Sequence, residues 1–530
     1  MRTDCSGWAI HLKLRKSRDT LWQMKDDMNT LKNIKNRIDT ACAAVTEKIG
    51  RMSASMQVLC VSLLVFFVQV RFNVNLMLVV LLWALWKAGF FKWLGKTFGE
   101  KETRTALSIF ACVSVGYAII MLLFKIPMSI DIFFDTDMTK WHHMFSNPFA
   151  QLPAFLPDRR PFPFFYNLPF GLFTPTISDL SVRLYMVLLS ALNVSMFSLF
   201  ISRIAPKARV FNILLCTALA VSAPQLFFGA LGVEQYMHTQ FGMMVCMLYF
   251  SFAIPKKRYK EWELLLVSFV CLGANSILLP MFGLFYIALL YVSDEPKKIF
   301  LRIFRMGVMF LILHHLLAFG QSIILPWVNA YIWNMLNFLP KNLDFHSPYD
   351  SFSAFNKYIG YPDAWKYIKD VLSMPFGFDF IKRAPVFPHI WLWAVWVVAL
   401  VPCAIKGWKN PLFLAIFGSW ISFVLFFSLY NPHNSFLYSV IHTTMLFAML
   451  AYLPSSKFRN VVVAFILVLL LAINAPWVKY INSSGQIFQW HGVTTGQQVG
   501  LARFSADSSA PVQFNELFYD NWLKAQPIKP

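Results

Sequence analysis

The chain has 530 residues, of which 57% are hydrophobic and only 14% are charged, whereas ordinary soluble domains have roughly 25% charged residues. Apolar runs long enough to cross a bilayer recur from residue 56 to residue 475, which excludes a soluble globular protein and predicts an integral membrane protein. The net charge of +21 comes from basic residues in short segments between these runs. No basic stripe with interleaved aromatic residues occurs, so nucleic acid is not predicted as a partner.

The first 55 residues form a polar, basic segment in which apolar residues recur at helical spacing. This pattern predicts a cytoplasmic amphipathic helix on the membrane surface. Two apolar runs, 56–70 and 74–91, follow with basic residues on both sides. Because positive charge marks the cytoplasmic side, they predict a tight hairpin, after which the run 106–126 crosses outward.

The same charge rule orients the rest of the chain. It predicts an all-α, polytopic transmembrane helix bundle of about 13 crossings, with the N-terminus inside and the C-terminus outside. The transmembrane domain occupies 56–475, with large outer loops at 128–180 and 330–388 and an outer tail at 476–530. The later crossings are the runs 181–202, 210–231, 236–254, 262–293 (two short helices that meet near Asn275), 306–328, 389–405, 411–429, 437–453 and 460–475.

Function is expected on the outer side, because the inner loops are short and basic while the outer side, with its two large loops and the tail, carries most of the acidic residues. Asp131, Asp135 and Asp137 directly follow the run 106–126. A carboxylate in hydrocarbon costs several kcal/mol, so these groups belong where water or a polar substrate reaches them. Asp135 is the first candidate for a catalytic base, Asp137 the second and Asp131 the third. The alternative is a solvated acidic loop and, for Asp131, a helix cap.

Other polar residues on the outer side are candidates for substrate contacts. Arg is suited to bidentate phosphate contact, whereas Lys acts as a point charge. The candidate phosphate-binding cations, for each of which an interfacial anchor is the alternative, are Arg159, Arg160, Lys341 and Arg383. Glu234 lies in a short outer turn, where it either contacts the acceptor or a divalent ion or is simply solvated. His142 and His143 are candidates for a metal site with the aspartates, although neighbouring helical residues diverge by about 100°.

Three short motifs carry a family resemblance. Asp135-Thr136, just after an outward-going helix, and Arg160-Pro161-Phe162, ahead of the next helix, resemble motifs of a bacterial branch of the GT-C membrane glycosyltransferases. The stretch from Tyr430 to Ser439 resembles the late motif of that branch, an outer turn of Asn-Pro and a polar residue followed by Phe-Leu-Tyr-Ser. Members of the branch commonly have Glu where this chain has His433 or Asn434. The resemblance covers residues 106–475 and implies a location in a bacterial inner (plasma) membrane.

The resemblance implies an inverting glycosyltransferase that uses a polyprenyl-phosphate-linked sugar. Such an enzyme needs a base to deprotonate the acceptor hydroxyl and cations to stabilise the leaving phosphate. The acceptor is then an extracytoplasmic glycan or lipid of the cell envelope, and a divalent metal ion is an open possibility as cofactor. His433, Asn434 and Tyr438 become contacts of the donor or acceptor. For Tyr438 the alternative is a place in the aromatic belt at the membrane interface.

Three other functions compete with this interpretation. A transporter or flippase of lipid-linked glycans would be expected to place polar residues at the bilayer midplane, where Asn193, Asn275, His314 and His315 read as packing contacts between helices. A polymerase or ligase of lipid-linked glycans would use a large outer loop, and 330–388 has a suitable size. A scaffold without catalysis leaves the acidic loop unexplained.

Overall fold

A computed structural model describes residues 85–124, 179–293, 298–324, 364–377, 389–429, 436, 438–454 and 457–490. Within these ranges the regular structure is helical and contains no strand. The chain divides into two units, of which the first comprises 1–68 and 79–89 and the second comprises 69–78 and 90–530. Every helix named below belongs to the second unit.

The first half of this unit begins with a short helix and continues with long apolar helices. Their bounds are α1 Phe90–Phe98, α2 Glu100–Leu123, α3 Asp179–Ile204, α4 Arg209–Ala220, α5 Ala223–Leu226, α6 Tyr236–Lys256, α7 Glu261–Ala274 and α8 Leu279–Ser293. The second half contains α9 Ile299–Ile324, α10 Ala364–Ser373, α11 His389–Gly407, α12 Pro411–Leu429, α13 Ser439–Leu450 and α14 Lys457–Trp490.

Several of these helices are long and apolar enough to cross a membrane. Among the described residues there are 5 such helices, or up to 6 if the bent pair 209–220 and 223–231 forms one span. Shorter apolar helices lie at Leu279–Ser293, Leu392–Gly407 and Ser439–Leu450. The all-helical class and the presence of membrane-spanning helices are therefore confirmed for this part of the chain. The number of about 13 crossings and the orientation of the termini stay predictions.

The predicted crossing 210–231 is interrupted in the structure. After α4 the helix axis turns by 65°, and α5 continues into a π-helical turn, Phe227–Leu231. Pro224 at the start of α5 explains the break, because proline has no N–H to donate and its ring disfavours a continuous helix before it. Residues 222–231, which follow the bend, are buried throughout, as an irregular backbone at membrane depth must be.

The predicted meeting of two short helices near Asn275 is confirmed. Asn275 follows α7 directly, and a 3-10 turn, Ser276–Leu278, leads into α8. The side chain of Asn275 is buried and explains the geometry. Its Oδ1 accepts from the Ile277 backbone N–H at 3.2 Å, while its Nδ2 donates to Thr239 Oγ1 of α6 at 3.1 Å. The break in the helix leaves backbone polar groups without helical partners, and the side chain of Asn275 bonds one of them.

The last helix, α14, is longer than the predicted crossing 460–475. It continues through Pro476 to Trp490. Trp477 is buried, and its ring lies 6.3 Å from that of Phe227 and 5.9 Å from that of Phe436. Gly377, at a positive φ of 67°, lies against the same indole, where a Cβ would approach ring atoms to 2.8 Å. Aromatic contacts therefore hold the extension of α14 against three other segments of the chain.

Candidate functional site

Buried polar residues gather at the helix ends that the charge pattern assigns to the outside. We call the most compact group, Glu234, Tyr236, Tyr367, Asp370, Tyr438 and His442, the tyrosine cluster. It is built from the turn before α6, from α10, and from the start of α13. The rings of Tyr236 and Tyr438 are 6.1 Å apart, and Tyr367 hydrogen-bonds His442. Segments that are distant in the sequence thus supply one buried, polar and aromatic site.

Glu234 lies in the turn between the π-helical segment and α6. It is only 1% exposed, so the interpretation as a solvated turn residue is wrong for this side chain. Burying a carboxylate costs several kcal/mol unless other groups compensate, so a buried glutamate at a helix end is a strong candidate for a functional group.

Tyr438 immediately precedes α13 and is also buried. Its ring stacks on that of Phe427 of α12, with centroids 3.8 Å apart. The ring of Tyr236 contacts it edge-on. A tyrosine in the aromatic belt instead keeps one end in water. The structure therefore places Tyr438 in the core, next to the turn that contains Glu234.

One tyrosine–histidine hydrogen bond lies within the cluster, and a second is formed by His238, two residues after Tyr236. Tyr367 and the Nε2 atom of His442 are 3.1 Å apart, and Tyr185 and the Nε2 atom of His238 are 2.6 Å apart. Both imidazoles are fully buried. Sequence reasoning missed both histidines, because neither belongs to a recognisable motif. Their positions become significant only through the tyrosines that other segments bring to them.

Helix α10 brings Tyr367 and Asp370 to the cluster from within the predicted outer loop 330–388. Burial, followed by the negative charge of Asp370 and the neighbouring Tyr236, raises the pKa of Tyr367 well above its usual value. The phenol therefore remains protonated and is able to donate to His442. The segment is fixed at its end, since Leu372 O accepts from Trp396 Nε1 at 2.8 Å and Pro375 O accepts from Asn474 Nδ2 at 2.9 Å.

A network of side-chain amides lies deeper in the bundle. Gln225 and Gln240 bond each other reciprocally, with N–O distances of 3.1 and 2.9 Å. Gln225 also donates to Ser190 Oγ at 2.6 Å, and Gln240 donates to Thr444 Oγ1 at 3.0 Å. Asn193 joins through its Nδ2, which is 3.0 Å from Gln240 Oε1. The network connects α3, α5, α6 and α13, which agrees with the predicted packing role of Asn193 and adds two glutamines that sequence reasoning overlooked.

Most of the predicted site residues lie outside the described residues, so their arrangement stays a prediction. They are Asp131, Asp135, Asp137, His142, His143, Arg159, Arg160, Lys341, Arg383, His433 and Asn434. Of the predicted contacts, the structure describes Glu234 and Tyr438 and brings the elements that hold them together. Within the described ranges, no group of three or more His, Cys, Asp or Glu side chains is arranged to hold a metal ion.

Comparisons with known proteins add no assignment to this geometry. Neither family models, nor curated proteins, nor solved structures match the chain.

Proposed function

We propose that this chain is an inverting GT-C-type glycosyltransferase, which moves a sugar from a polyprenyl-phosphate carrier to an acceptor outside the cytoplasm. The proposal joins the sequence motifs to one structural observation, the convergence of the Glu234 turn with the late motif at Tyr438. The evidence for this convergence is the contact between Tyr236 and Tyr438, whose ring centroids are 6.1 Å apart.

The composition of the tyrosine cluster supports a site for a sugar or its acceptor. Carboxylate, phenol and imidazole groups offer hydrogen bonds to hydroxyls, and the stacked rings of Phe427 and Tyr438 provide an apolar wall. The cluster lies at helix ends, which is the level where the headgroup of a lipid-linked donor would be held. Glu234 and Tyr438 are accordingly proposed as contacts of the acceptor or donor.

The chemistry is proposed from the residues of the first outer loop. Asp135 takes the proton of the attacking acceptor hydroxyl, with Asp137 and Asp131 as the other candidates for this role. Charge develops on the leaving phosphate as the sugar–phosphate bond breaks, and cations stabilise it. The proposed cations are Arg159, Arg160, Lys341 and Arg383.

One observation favours a second function of the same chemical class. Helix α10 belongs to the loop 330–388 and contributes Tyr367 and Asp370 to the tyrosine cluster. A glycan polymerase or ligase would use such a loop to bind a lipid-linked glycan. The transporter alternative receives less support, because Gln225 and Gln240 bond each other rather than facing a path for a substrate.

The experiment that tests the proposal uses the purified protein in a lipid nanodisc. A panel of polyprenyl-phosphate monosaccharides and, separately, polyprenyl-diphosphate oligosaccharides is added together with envelope glycan and lipid acceptors. Consumption of one monophosphate donor, with release of polyprenyl phosphate, is the expected result. Consumption of the diphosphate oligosaccharides alone would favour the polymerase or ligase, and no consumption of either would remove the support for both.

The variant that tests the proposed catalytic base most directly in this assay is the one in which Asp135 is replaced. Asp135→Asn is nearly isosteric but does not accept a proton, so transfer is expected to fall by about 10²–10⁴-fold, the usual contribution of a general base. Donor turnover and the amount of inserted protein are measured together. Asp137→Asn and Asp131→Asn are the matched controls, with smaller losses expected. Near-parental turnover in all three variants would show that the acidic loop is not catalytic.

A further inference from the structure

Side chains from two other helices bond the backbone at the bend after α4. Pro224 has no N–H to donate to the carbonyl of Ala220, four residues earlier, as a residue of a continuous helix would. Tyr117 of α2 donates from its hydroxyl to that carbonyl at 2.6 Å. The next carbonyl, that of Val221, accepts from Nδ2 of Asn474 in α14 at 2.7 Å. The bend is thus connected to α2 and to α14 by hydrogen bonds to adjacent backbone carbonyls.

Asn474 bonds a second segment with the same amide group. Its Nδ2 also donates to the carbonyl of Pro375 at 2.9 Å, in the 3-10 turn Met374–Phe376 that directly follows α10. A side-chain amide has two N–H donors, and here each is directed to the backbone of a different segment. Because Asn474 is only 1% exposed, little water is available to compete for these bonds.

Trp477 contacts the same two segments through its indole. It lies three residues after Asn474, so the two side chains are neighbours on one face of α14. Its ring is 6.3 Å from that of Phe227 in the π-helical turn, and Gly377, just after the 3-10 turn, packs against it. It is also 5.9 Å from the ring of Phe436 in the late motif. One face of α14 therefore contacts the bent segment, the end of α10 and the late motif.

These three segments contain residues of the tyrosine cluster. The bent segment leads directly into the turn with Glu234, α10 contains Tyr367 and Asp370, and the late motif contains Tyr438. A shift of one backbone relative to another changes the distances between these side chains. A displacement on the order of 1 Å at a reacting or binding group is enough to reduce a rate about 10²-fold. The contacts of α14 are therefore placed to determine the geometry of the cluster.

We propose that Asn474 is a positioning residue for the tyrosine cluster. By bonding the carbonyls of Val221 and Pro375 with one amide group, it fixes the turn at Glu234 relative to α10. Hydrogen bonds are directional, whereas the packing around Trp477 is not, so Asn474 specifies the relative position of the two segments. The effect on catalysis rests on the proposed transfer reaction, but the connection between the two segments does not.

Hydrogen–deuterium exchange of the purified full chain in nanodiscs tests this connection without a substrate. Asn474→Leu keeps the branching at Cγ and removes both bonds. Backbone amides in 222–232 and in 371–377 should then exchange at least about tenfold faster, as expected for the loss of a buried hydrogen bond. Tyr117→Phe removes only the bond to Ala220 and should accelerate 222–232 alone. Parental exchange of both peptides in Asn474→Leu would overturn the proposal.

Asn212→Leu is the matched control for this experiment. Asn212 lies near the other end of α4, is 4% exposed and also donates from Nδ2 to a helix carbonyl, that of Ser198, at 3.0 Å. Its replacement should leave the exchange of both peptides at the parental rate, and equal acceleration would overturn the proposal. Asn474→Ser, which leaves a single donor on a shorter side chain, serves if Asn474→Leu does not fold. Faster exchange is then expected in at least one of the two peptides.

Turnover of the donor identified in the assay above tests the positioning role. Asn474→Leu should lower kcat/KM by about tenfold or more per folded protein, whereas Asn212→Leu should not lower it. In a Glu234→Gln background the same change should cost clearly less, because effects that act through one side chain are not additive. Full additivity, or an equal loss in Asn212→Leu, would overturn the positioning role. Absence of turnover in the parent protein would instead contradict the transfer reaction, and the exchange experiment would still decide the connection.

Discussion

The two ends of the helix bundle differ in how far their polar groups are buried. At the end assigned to the outside, phenols, imidazoles and two carboxylates are buried, and Tyr367 hydrogen-bonds His442. At the end assigned to the inside, the ionic groups are largely exposed, and the ion pair Lys260–Glu263 has side-chain exposures of 69% and 33%. Only the first arrangement requires a specific tertiary structure.

Burying polar groups at the end assigned to the outside has a free-energy cost that a contribution to stability alone does not explain. Exposed ionic groups at a membrane surface cost little and contribute little, since water and lipid headgroups solvate them. Buried polar groups cost several kcal/mol each unless they are fully bonded. A buried polar and aromatic cluster at the end assigned to the outside therefore supports the proposal that function lies at this end. Three predictions, from the largest expected effect to the smallest, test this contrast.

The largest effect is expected for Glu234 in the proposed transfer reaction. Glu234→Gln removes the charge but keeps the shape, and loss of a charged hydrogen bond to a substrate is expected to reduce kcat/KM by roughly 10- to 100-fold. Glu263→Gln, the same change at the inner end, is the control and should leave kcat/KM unchanged. Equal losses in the two variants, measured with the donor identified in the turnover assay, would remove the functional distinction between the ends.

An intermediate effect is expected for the amide network. Gln240→Leu removes the donor to Gln225 Oε1 and to the Thr444 hydroxyl, while Gln225 Nε2 keeps its bond to Ser190 Oγ, and the expected cost is about 1–3 kcal/mol for an unsatisfied buried group. The measurement is the free energy of unfolding in mixed micelles by chemical denaturation. Gln225→Leu and the double variant complete a thermodynamic cycle, in which the double variant should lose clearly less than the sum of the two single losses. Simple additivity would contradict a reciprocal bond.

The smallest effect is expected for the exposed ion pair of α7. Lys260→Gln should change the free energy of unfolding by no more than about 1 kcal/mol, because exposed ion pairs are screened by solvent and salt. The same micelle assay at low and at high salt measures this change. A loss as large as that of Gln240→Leu would mean that the inner end depends on specific polar contacts as much as the outer end does.

Prediction from the sequence succeeded where the signal was local. The long apolar run 262–293 begins and ends beside basic segments, which predicts two short helices that meet near Asn275. The structure has the break there, and Asn275 Oδ1 accepts from the Ile277 backbone N–H. The bounds of α12, Pro411–Leu429, coincide with the predicted run 411–429, because proline begins the helix and the apolar residues end with it. Pro224 contained a similar signal, but the run 210–231 is so uniformly apolar that the break was overlooked.

The site shows where local signals are insufficient. Glu234 and Tyr438 were recognisable as candidates, but the isolated sequence is equally consistent with solvated or interfacial positions for them. His238, His442 and Tyr367 carry no motif of their own. Their importance follows from the partners they meet across the bundle, and those partners come from other helices. Periodicity describes which face of a helix is apolar, but it does not specify which helix lies opposite.

The sequence by itself determined that this chain is helical and crosses a membrane several times, because the backbone in hydrocarbon must satisfy its own hydrogen bonds and long apolar runs do this only as helices. Its charge asymmetry also supplied the orientation on which the functional prediction depends. Only the tertiary structure decided that the turn at Glu234, helix α10 and the start of α13 meet, and that Gln225 bonds Gln240. The physical reason is that burial and hydrogen bonding between distant segments depend on helix packing, which arises from side-chain shape over the whole bundle rather than from any one segment.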